Sequence, residues 1–437
     1  MTREKTVLNA WVLDVSMGYG HQRTAYPLRE LAPDSKVINV DNYSGIPAKD
    51  KNIWEGSRQF YEFISKFQGI PFFGRPVFRL YDKTQKIFDF YPGRDLSKPN
   101  FVLKRIYSLI RKGWGRDLIE RLRKKPQPII ATFFTPAFMA EFFDYPCEIY
   151  CVVADADISR TWVPLEPGKS RIKYLAPTER VCERLKLYGV KQENIYFTGY
   201  PLPKENLGNK FEIVKQDLRQ RFFNLDPKKV YEQRHEPLIK KYLGKLPAAS
   251  DHPLAVMFSV GGAGAQTDIA IKILKSLKPK LEKNEVNLIL SAGIRKVVRD
   301  RFFSEIKNSG LESFLEKTVY VLWSENINDY FMKFNNKLKK TDILWTKPSE
   351  LSFYSALGIP IIMAPSLGSQ EDFNREWLVK IGSGIIQENP DYTHEWLFDF
   401  LEAGLLAEAA MEGFIDGEKS GTFNIERILK NKHLLTG

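Results

Sequence analysis

The sequence predicts an α/β protein built of two doubly wound domains, each a parallel sheet with helices on both faces. Three observations carry that expectation. Short apolar runs, of the kind buried on both faces of a parallel sheet, recur between helix-forming segments. The 437 residues exceed one ordinary core, so two domains are expected. The stretch Asp342 to Asn374, DILWTKPSELSFYSALGIPIIMAPSLGSQEDFN, holds a strand, a turn, a helix, a second strand and a polar loop in immediate succession. Within it Ile343 to Trp345 reads as a strand, Pro348 as its end and Ser349 as the N-cap of a helix from Glu350 to Leu357. Gly358 stops that helix, Ile359 to Ala364 reads as the next strand, and a loop carries Ser369, Gln370, Glu371, Asp372 and Asn374. Ligands of open α/β sheets sit beyond the carboxyl ends of strands, so the two polar loops should face one crevice.

A hydrophobic fraction of 43% and a charged fraction of 27% describe a folded chain and exclude a disordered one. No apolar run approaches the roughly 20 residues of a membrane span. The opening MTREKTVLNAWVLDV leads into a strand without a signal-peptide pattern, so a cytoplasmic protein is expected. Cys147, Cys151 and Cys182 show no paired ligand spacing and read as reduced thiols, with no metal site. The net charge of +12 leaves nucleic acid, acidic lipid headgroups and phosphorylated small molecules open as partners.

In chain order, Val7 to Val15 is the first strand, and SMGYGHQRTAYPLRELA is a glycine turn opening a helix. Gly18 and Gly20 allow close approach of a ligand, and His21 falls at the helix N-terminus. The plain alternative is a strand-to-helix connection with an incidental histidine. Lys36 to Val40 is the second strand. From Trp54 to about Arg123 aromatic and basic residues interleave, including Phe72, Phe73, Arg75, Lys104, Arg105 and Trp114. That mixture suits an anionic membrane interface or a single-stranded nucleic acid, or else helices on a sheet with solvated basic faces.

Pro128 to Thr132 and Glu148 to Val153 are further strands. Past the second of these lies ADADISRTWVP, where Asp155 stands where a catalytic base could be held, or acts as a capping aspartate. Tyr174 to Pro177, a helix Glu179 to Tyr188 capped by Thr178, and Asn194 to Thr198 complete the first domain, residues 1–205. The charged segment 206–252 reads as an interdomain linker or insertion, and residues 253–437 as the second domain. There Leu254 to Val260 runs into GGAGAQTD, a glycine turn before a helix that can present backbone N–H groups to phosphate. It lacks the lysine of a P-loop, which argues against nucleotide hydrolysis. Val286 to Ser291 and Val319 to Leu322 complete the second sheet.

These motifs, over almost the whole chain, resemble the GT-B glycosyltransferases related to monogalactosyldiacylglycerol synthase, the processive diacylglycerol glucosyltransferases and MurG. GYGH with Ala25 resembles the family's Gly-x-Gly-His-x-x-x-Ala turn, and VVADADISRTW its Val-Val-Thr-Asp strand end with a following tryptophan. YLAPTERVCERLKLYGVKQENIYFTGYP resembles the tract before the linker, VGGAG the diphosphate loop, and TKPSELSFYSALGIP with GSQEDFN the donor helix and sugar loop. The resemblance implies two Rossmann-like domains facing a central cleft. It also implies Asp155 and His21 as catalytic candidates. On the donor side it implies Gly20, Gly261, Gly262, Gly264, Lys347, Ser349, Glu350, Gln370, Glu371 and Asn374. Two departures stand out: Phe353 where relatives place the ribose-binding glutamate, and Ser159 where lipid glycosyltransferases tend to have histidine.

The expected activity is metal-independent, inverting transfer of a hexose from a nucleotide sugar, UDP-linked, to a lipid or other hydroxyl acceptor, with no cofactor. The expected partners are that donor, a lipid or small-molecule acceptor and an anionic membrane surface. The chain would then sit in the cytoplasm or peripherally on the inner face of the membrane. No nucleic-acid module is recognised, so no nucleic-acid partner is expected. The alternative is a non-catalytic sugar- or lipid-binding relative with a degenerate nucleotide site.

Overall fold

The computed structural model describes residues 9–67, 87–261, 264, 266–366 and 369–436. The chain divides into two compact units, one of Met1–Leu202, Leu367–Phe373 and Glu418–Gly437, the other of Pro203–Ser366 and Asn374–Gly417.

The first unit holds a six-stranded parallel sheet in the order β2-β1-β3-β4-β5-β6. The strands are β1 (Trp11–Asp14), β2 (Ile38–Asn39), β3 (Ile129–Ala131), β4 (Ile149–Val152), β5 (Lys173–Ala176) and β6 (Ile195–Phe197). Period-two alternation sends successive residues to opposite faces, and both faces are covered. Leu13, Ile129, Ala131, Cys151 and Tyr174 pack under the helices Phe101–Arg111, Arg116–Arg123 and Phe134–Phe142. Val12, Ile130, Val152 and Leu175 pack against Leu28 and against Ile425 and Leu429 of the C-terminal helix Gly421–Thr436.

The second unit's sheet is also six-stranded and parallel, ordered β12-β11-β10-β7-β8-β9. Its strands are β7 (Leu254–Ser259), β8 (Val286–Gly293), β9 (Val319–Trp323), β10 (Ile343–Thr346), β11 (Ile361–Met363) and β12 (Gly384–Ile386). Counted in order of appearance this is 6-5-4-1-2-3, the Rossmann order, with its switch point between β7 and β10.

Several expectations are corrected. The segment 206–252, expected as an interdomain linker or insertion, carries the helices Glu212–Leu225 and Val230–Tyr242, which belong to the second unit. Arg221 anchors the first of them from a fully buried position. Its guanidinium donates to the carbonyls of Thr341 at 2.7 Å, Leu357 at 3.1 Å, Gly358 at 3.2 Å and Leu338 at 3.2 Å. The end of the chain leaves the second domain for the first unit, where Thr422 Oγ1 donates to Leu202 O at 2.6 Å and Asn424 Nδ2 to Thr198 O at 2.8 Å.

Glu350–Leu357 is a 3₁₀ run, and Ser349 makes no side-chain capping bond to it. The polar stretch after β11 is a helix, Ser369–Lys380, and β12 is a strand that the sequence reading passed over. Thr178 does cap Glu179–Leu187, accepting from Val181 N at 3.2 Å. The three cysteines are free thiols. Burial raises the Cys182 thiol to about 11, so it stays protonated at neutral pH.

Candidate functional site

In the first unit the residues of interest lie at the carboxyl ends of β1 to β4. Gly18 takes φ +95°, a conformation open to glycine, and the helix Tyr19–Ala25 begins immediately after it. Gly20 and His21 therefore fall in its first turn. His21 Nδ1 lies 2.8 Å from the Thr132 carbonyl, which only accepts, so Nδ1 carries a proton. In the neutral ring that places the lone pair on Nε2, the form a general base needs. The imidazole packs at 4.7 Å from Phe133 and 6.1 Å from Trp162.

Asp155 is half-buried in the loop after β4, and that loop is held from below. Thr178 Oγ1 donates to Ala156 O at 2.9 Å and Tyr188 OH to Ile158 O at 2.8 Å. Asp157, fully buried, accepts two hydrogen bonds from the buried Arg184, at 2.9 Å and 2.8 Å. This is the paired, hydrogen-bonded state that makes a buried carboxylate tolerable. Asp157 is thus the structural anchor of the loop, and Asp155 is the carboxylate left nearer solvent. Ser159 is also buried there.

The sequence reading missed two more carboxylates, Asp14 at the end of β1 and Asp41 just past β2, both at least nine-tenths buried. Asp41 Oδ1 accepts from Ser16 N at 3.1 Å. Asn39 Nδ2 bridges Asp14 Oδ1 at 2.8 Å and Ser16 Oγ at 2.9 Å. Together they hold the start of the glycine turn. Burial raises the Asp14 carboxyl to about 7, the Asn39 hydrogen bond opposing and the Asp41 charge adding to the rise.

In the second unit the turn after β7 stands at the switch point of its sheet. Gly264 N donates to Gly261 O at 2.8 Å, and Thr267 Oγ1 to Gly264 O at 2.9 Å, folding the turn onto the start of the helix Thr267–Glu282. Gly264 takes φ +72°. Two cations flank this turn. A β-carbon built on Gly261 would stand 2.7 Å from Lys347 Cε, and one built on Gly264 would stand 3.5 Å from Arg295 Cδ. Lys347 follows β10, and Arg295 stands immediately before the helix Lys296–Asn308 that follows β8. Gln266 Nε2 donates to Pro365 O at 2.6 Å, tying the turn to the loop after β11. A 16-residue helix opening at a glycine turn with a lysine and an arginine beside it is suited to an anion such as a diphosphate.

Of the other donor-side candidates, Ser349 and Glu350 are half-buried, Ser349 just before the 3₁₀ run that follows Lys347 and Glu350 at its start. Gln370, Glu371 and Asn374 lie on the helix Ser369–Lys380, where the spacings 370 to 374 and 371 to 374 share a face. Glu371 is 9% exposed and Asn374 is fully buried. Gly262, Phe72, Phe73 and Arg75 lie outside the described residues. Phe353 is buried, its ring 4.9 Å from that of Trp377. Trp114 is a correction: it is 3% exposed, its ring centre lies 4.7 Å from that of Trp54 with the planes tilted at 56°, and it belongs to the core and cannot meet a bilayer. Lys104 and Arg105 are exposed, as expected. Arg295, like Asp14 and Asp41, is a residue that the sequence reading missed.

A family model described as a domain of unknown function, DUF6938, matches residues 247–424. No curated protein sequence matches the chain. Among solved structures the chain is similar to the UDP-GlcNAc 2-epimerase from Neisseria meningitidis bound to UDP-GlcNAc, at 13% identity and a TM-score of 0.45 over 78% of this chain and 84% of that one. It is similar to the S. aureus MnaA–UDP structure at 12% identity and a TM-score of 0.46, covering 80% and 82%. It is similar to MurG from Acinetobacter baumannii at 13% identity and a TM-score of 0.44, covering 76% and 78%. Among the described residues, no helix is long and apolar enough to cross a membrane, and no three His, Cys, Asp or Glu side chains gather as a metal site.

Proposed function

We propose that the chain is an inverting, metal-independent glycosyltransferase that moves a hexose from a UDP-sugar to the hydroxyl of a lipid acceptor at an anionic membrane surface. The observation that carries the reading is the glycine turn at the β7/β10 switch point, with Lys347 packed on Gly261 and Arg295 beside Gly264. A diphosphate there would receive backbone N–H groups, a helix N-terminus and two positive side chains. In the reaction the acceptor hydroxyl attacks the anomeric carbon while Asp155, or His21 through Nε2, takes its proton. The bond between the anomeric carbon and the diphosphate oxygen breaks, and the turn and its cations stabilise the departing negative charge. Gln370 and Glu371 serve the hexose hydroxyls in this reading.

The lipid acceptor draws support from rings that stay in solvent. Tyr91 is 86% and Phe101 72% exposed, and Lys98, Lys104 and Arg105 lie near them in sequence. Exposed aromatics mixed with basic side chains fit an anionic interface. One observation favours the non-catalytic alternative: position 353 of the 3₁₀ run after Lys347 holds a buried phenyl ring, and the carboxylate of that run, Glu350, stands at its start. Thermal unfolding against a panel of nucleotides and nucleotide sugars, followed by assay of UDP release with lipid acceptors, separates the two. Stabilisation by a UDP-hexose with acceptor-dependent UDP release is expected. Binding to liposomes with no response to any nucleotide would overturn the transferase.

A further inference from the structure

Three partners converge on Arg180, in the first turn of the helix Glu179–Leu187. Its Nε donates to Asp157 Oδ2 at 2.5 Å. Its guanidinium carbon lies 4.8 Å from the ring centre of Phe90 and 4.9 Å from that of Phe373. Asp157 is two residues beyond Asp155 in the loop after β4. Phe373 follows Gln370 and Glu371 on the helix Ser369–Lys380, in the part of that helix that belongs to the first unit.

Asp157 does not need Arg180 for its own neutralisation. Arg184, with no exposed side-chain surface, already spans both carboxylate oxygens, whereas the Arg180 side chain keeps 35% of its surface in solvent. What Arg180 adds is a flat cation held by one buried anion and lying on two rings, a role that the compact ammonium of lysine fills poorly. We propose that Arg180 is a positioning residue that sets the turn bearing Gln370 and Glu371 relative to the loop bearing Asp155, and so governs recognition of the donor's sugar. This rests on the glycosyl-transfer reading and deepens it.

The test uses the full chain with Arg180→Lys, Arg180→Gln, Phe373→Leu and the double variant Arg180→Lys/Phe373→Leu. KM for the UDP-hexose should rise about 10-fold in each single variant, the scale expected from losing such a stacked contact. Affinity for free UDP should stay at the wild-type value, because the anion cradle lies elsewhere. Both Arg180 variants should melt within about 2 °C of wild type, since Arg184 still neutralises Asp157. The double variant should be no worse than the worse single one. A wild-type KM in Arg180→Lys, or losses that multiply in the double variant, would overturn the proposal. If the wild-type protein responds to no UDP-hexose, the transfer reading fails first. The contact is then judged by urea unfolding of wild type, Arg180→Lys, Phe373→Leu and their double variant: non-additive midpoint shifts keep Arg180 coupled to Phe373, and additive shifts remove it.

Discussion

Lys347 lies so close to Gly261 that a β-carbon on the glycine would stand 2.7 Å from Lys347 Cε and 3.3 Å from Cδ. The absence of a side chain at Gly261 is therefore what lets the lysine lie across the turn. Gly261→Ala should push the Lys347 stem away and weaken UDP by roughly 10-fold or more, the scale of one charge-assisted hydrogen bond. Gly261 is not among the glycines at positive φ, so the alanine adds no backbone strain and the melting temperature should change little. Calorimetric titration of UDP checks this, and unchanged affinity would remove Lys347 from the cradle.

Asp155→Asn should leave the fold intact, because the substitution keeps the side chain's size and leaves the Asp157–Arg184 pair that anchors the loop in place. Turnover should fall about 100-fold or more, as loss of a general base implies. Near-wild-type turnover would pass the role to His21, and His21→Gln, which keeps a donor toward the Thr132 carbonyl, would then be the slow variant.

Asp14 makes the stability of the first unit depend on pH. Its folded carboxyl is raised from 3.8 to about 7, so between those values the native state holds a proton that the unfolded chain has released. Stability contributed by this group therefore falls as pH rises from about 4 to 7, by up to about 4 kcal/mol. Asp14→Asn removes the cost, since the amide oxygen can still accept from Asn39. Denaturant unfolding should show the variant more stable than wild type at pH 8 and equal to it near pH 4. A variant less stable at pH 8 would mean that the charged form is favoured by contacts stronger than burial.

The exposed rings make a prediction about lipid. Replacing Tyr91 and Phe101 by Ser, or Lys104 and Arg105 by Ser, should reduce sedimentation with anionic vesicles and leave UDP affinity unchanged. Each basic residue near the surface contributes on the order of 1 kcal/mol, and the binding should weaken with salt. Wild-type protein that stays in the supernatant with every vesicle would leave the acceptor a soluble molecule.

The strands of both sheets other than β12 were legible in the sequence because they are short apolar runs ended by glycine, proline or polar residues, as at Val260 to Gly264 and Thr346 to Ser349. What escaped has physical reasons. Arg295 follows an apolar strand as one cation among several, and only the fold brings it beside Gly264. The run SQEDFN is dense in polar residues and reads as a loop, but its buried Phe373 and Asn374 lie on one side of a helix. Segment 206–252 is highly charged because its helices are half solvated, and the charge that matters, Arg221, is buried on backbone carbonyls that no sequence pattern announces. Trp114, named among the aromatics that suit a membrane interface, instead joins Trp54 in the core under the first sheet.

On the glycosyl-transfer reading the β7 turn with Lys347 and Arg295 holds the diphosphate of a nucleotide sugar. Isothermal titration of UDP and of UDP-hexoses into the wild-type chain, Lys347→Met and Arg295→Met tests it most directly. Saturable one-to-one binding by wild type is expected, with a loss of roughly 10-fold or more in each variant and UDP weakened as much as the UDP-hexose because both carry the diphosphate. Wild-type protein that binds neither ligand, or variants that bind both as wild type does, would contradict it.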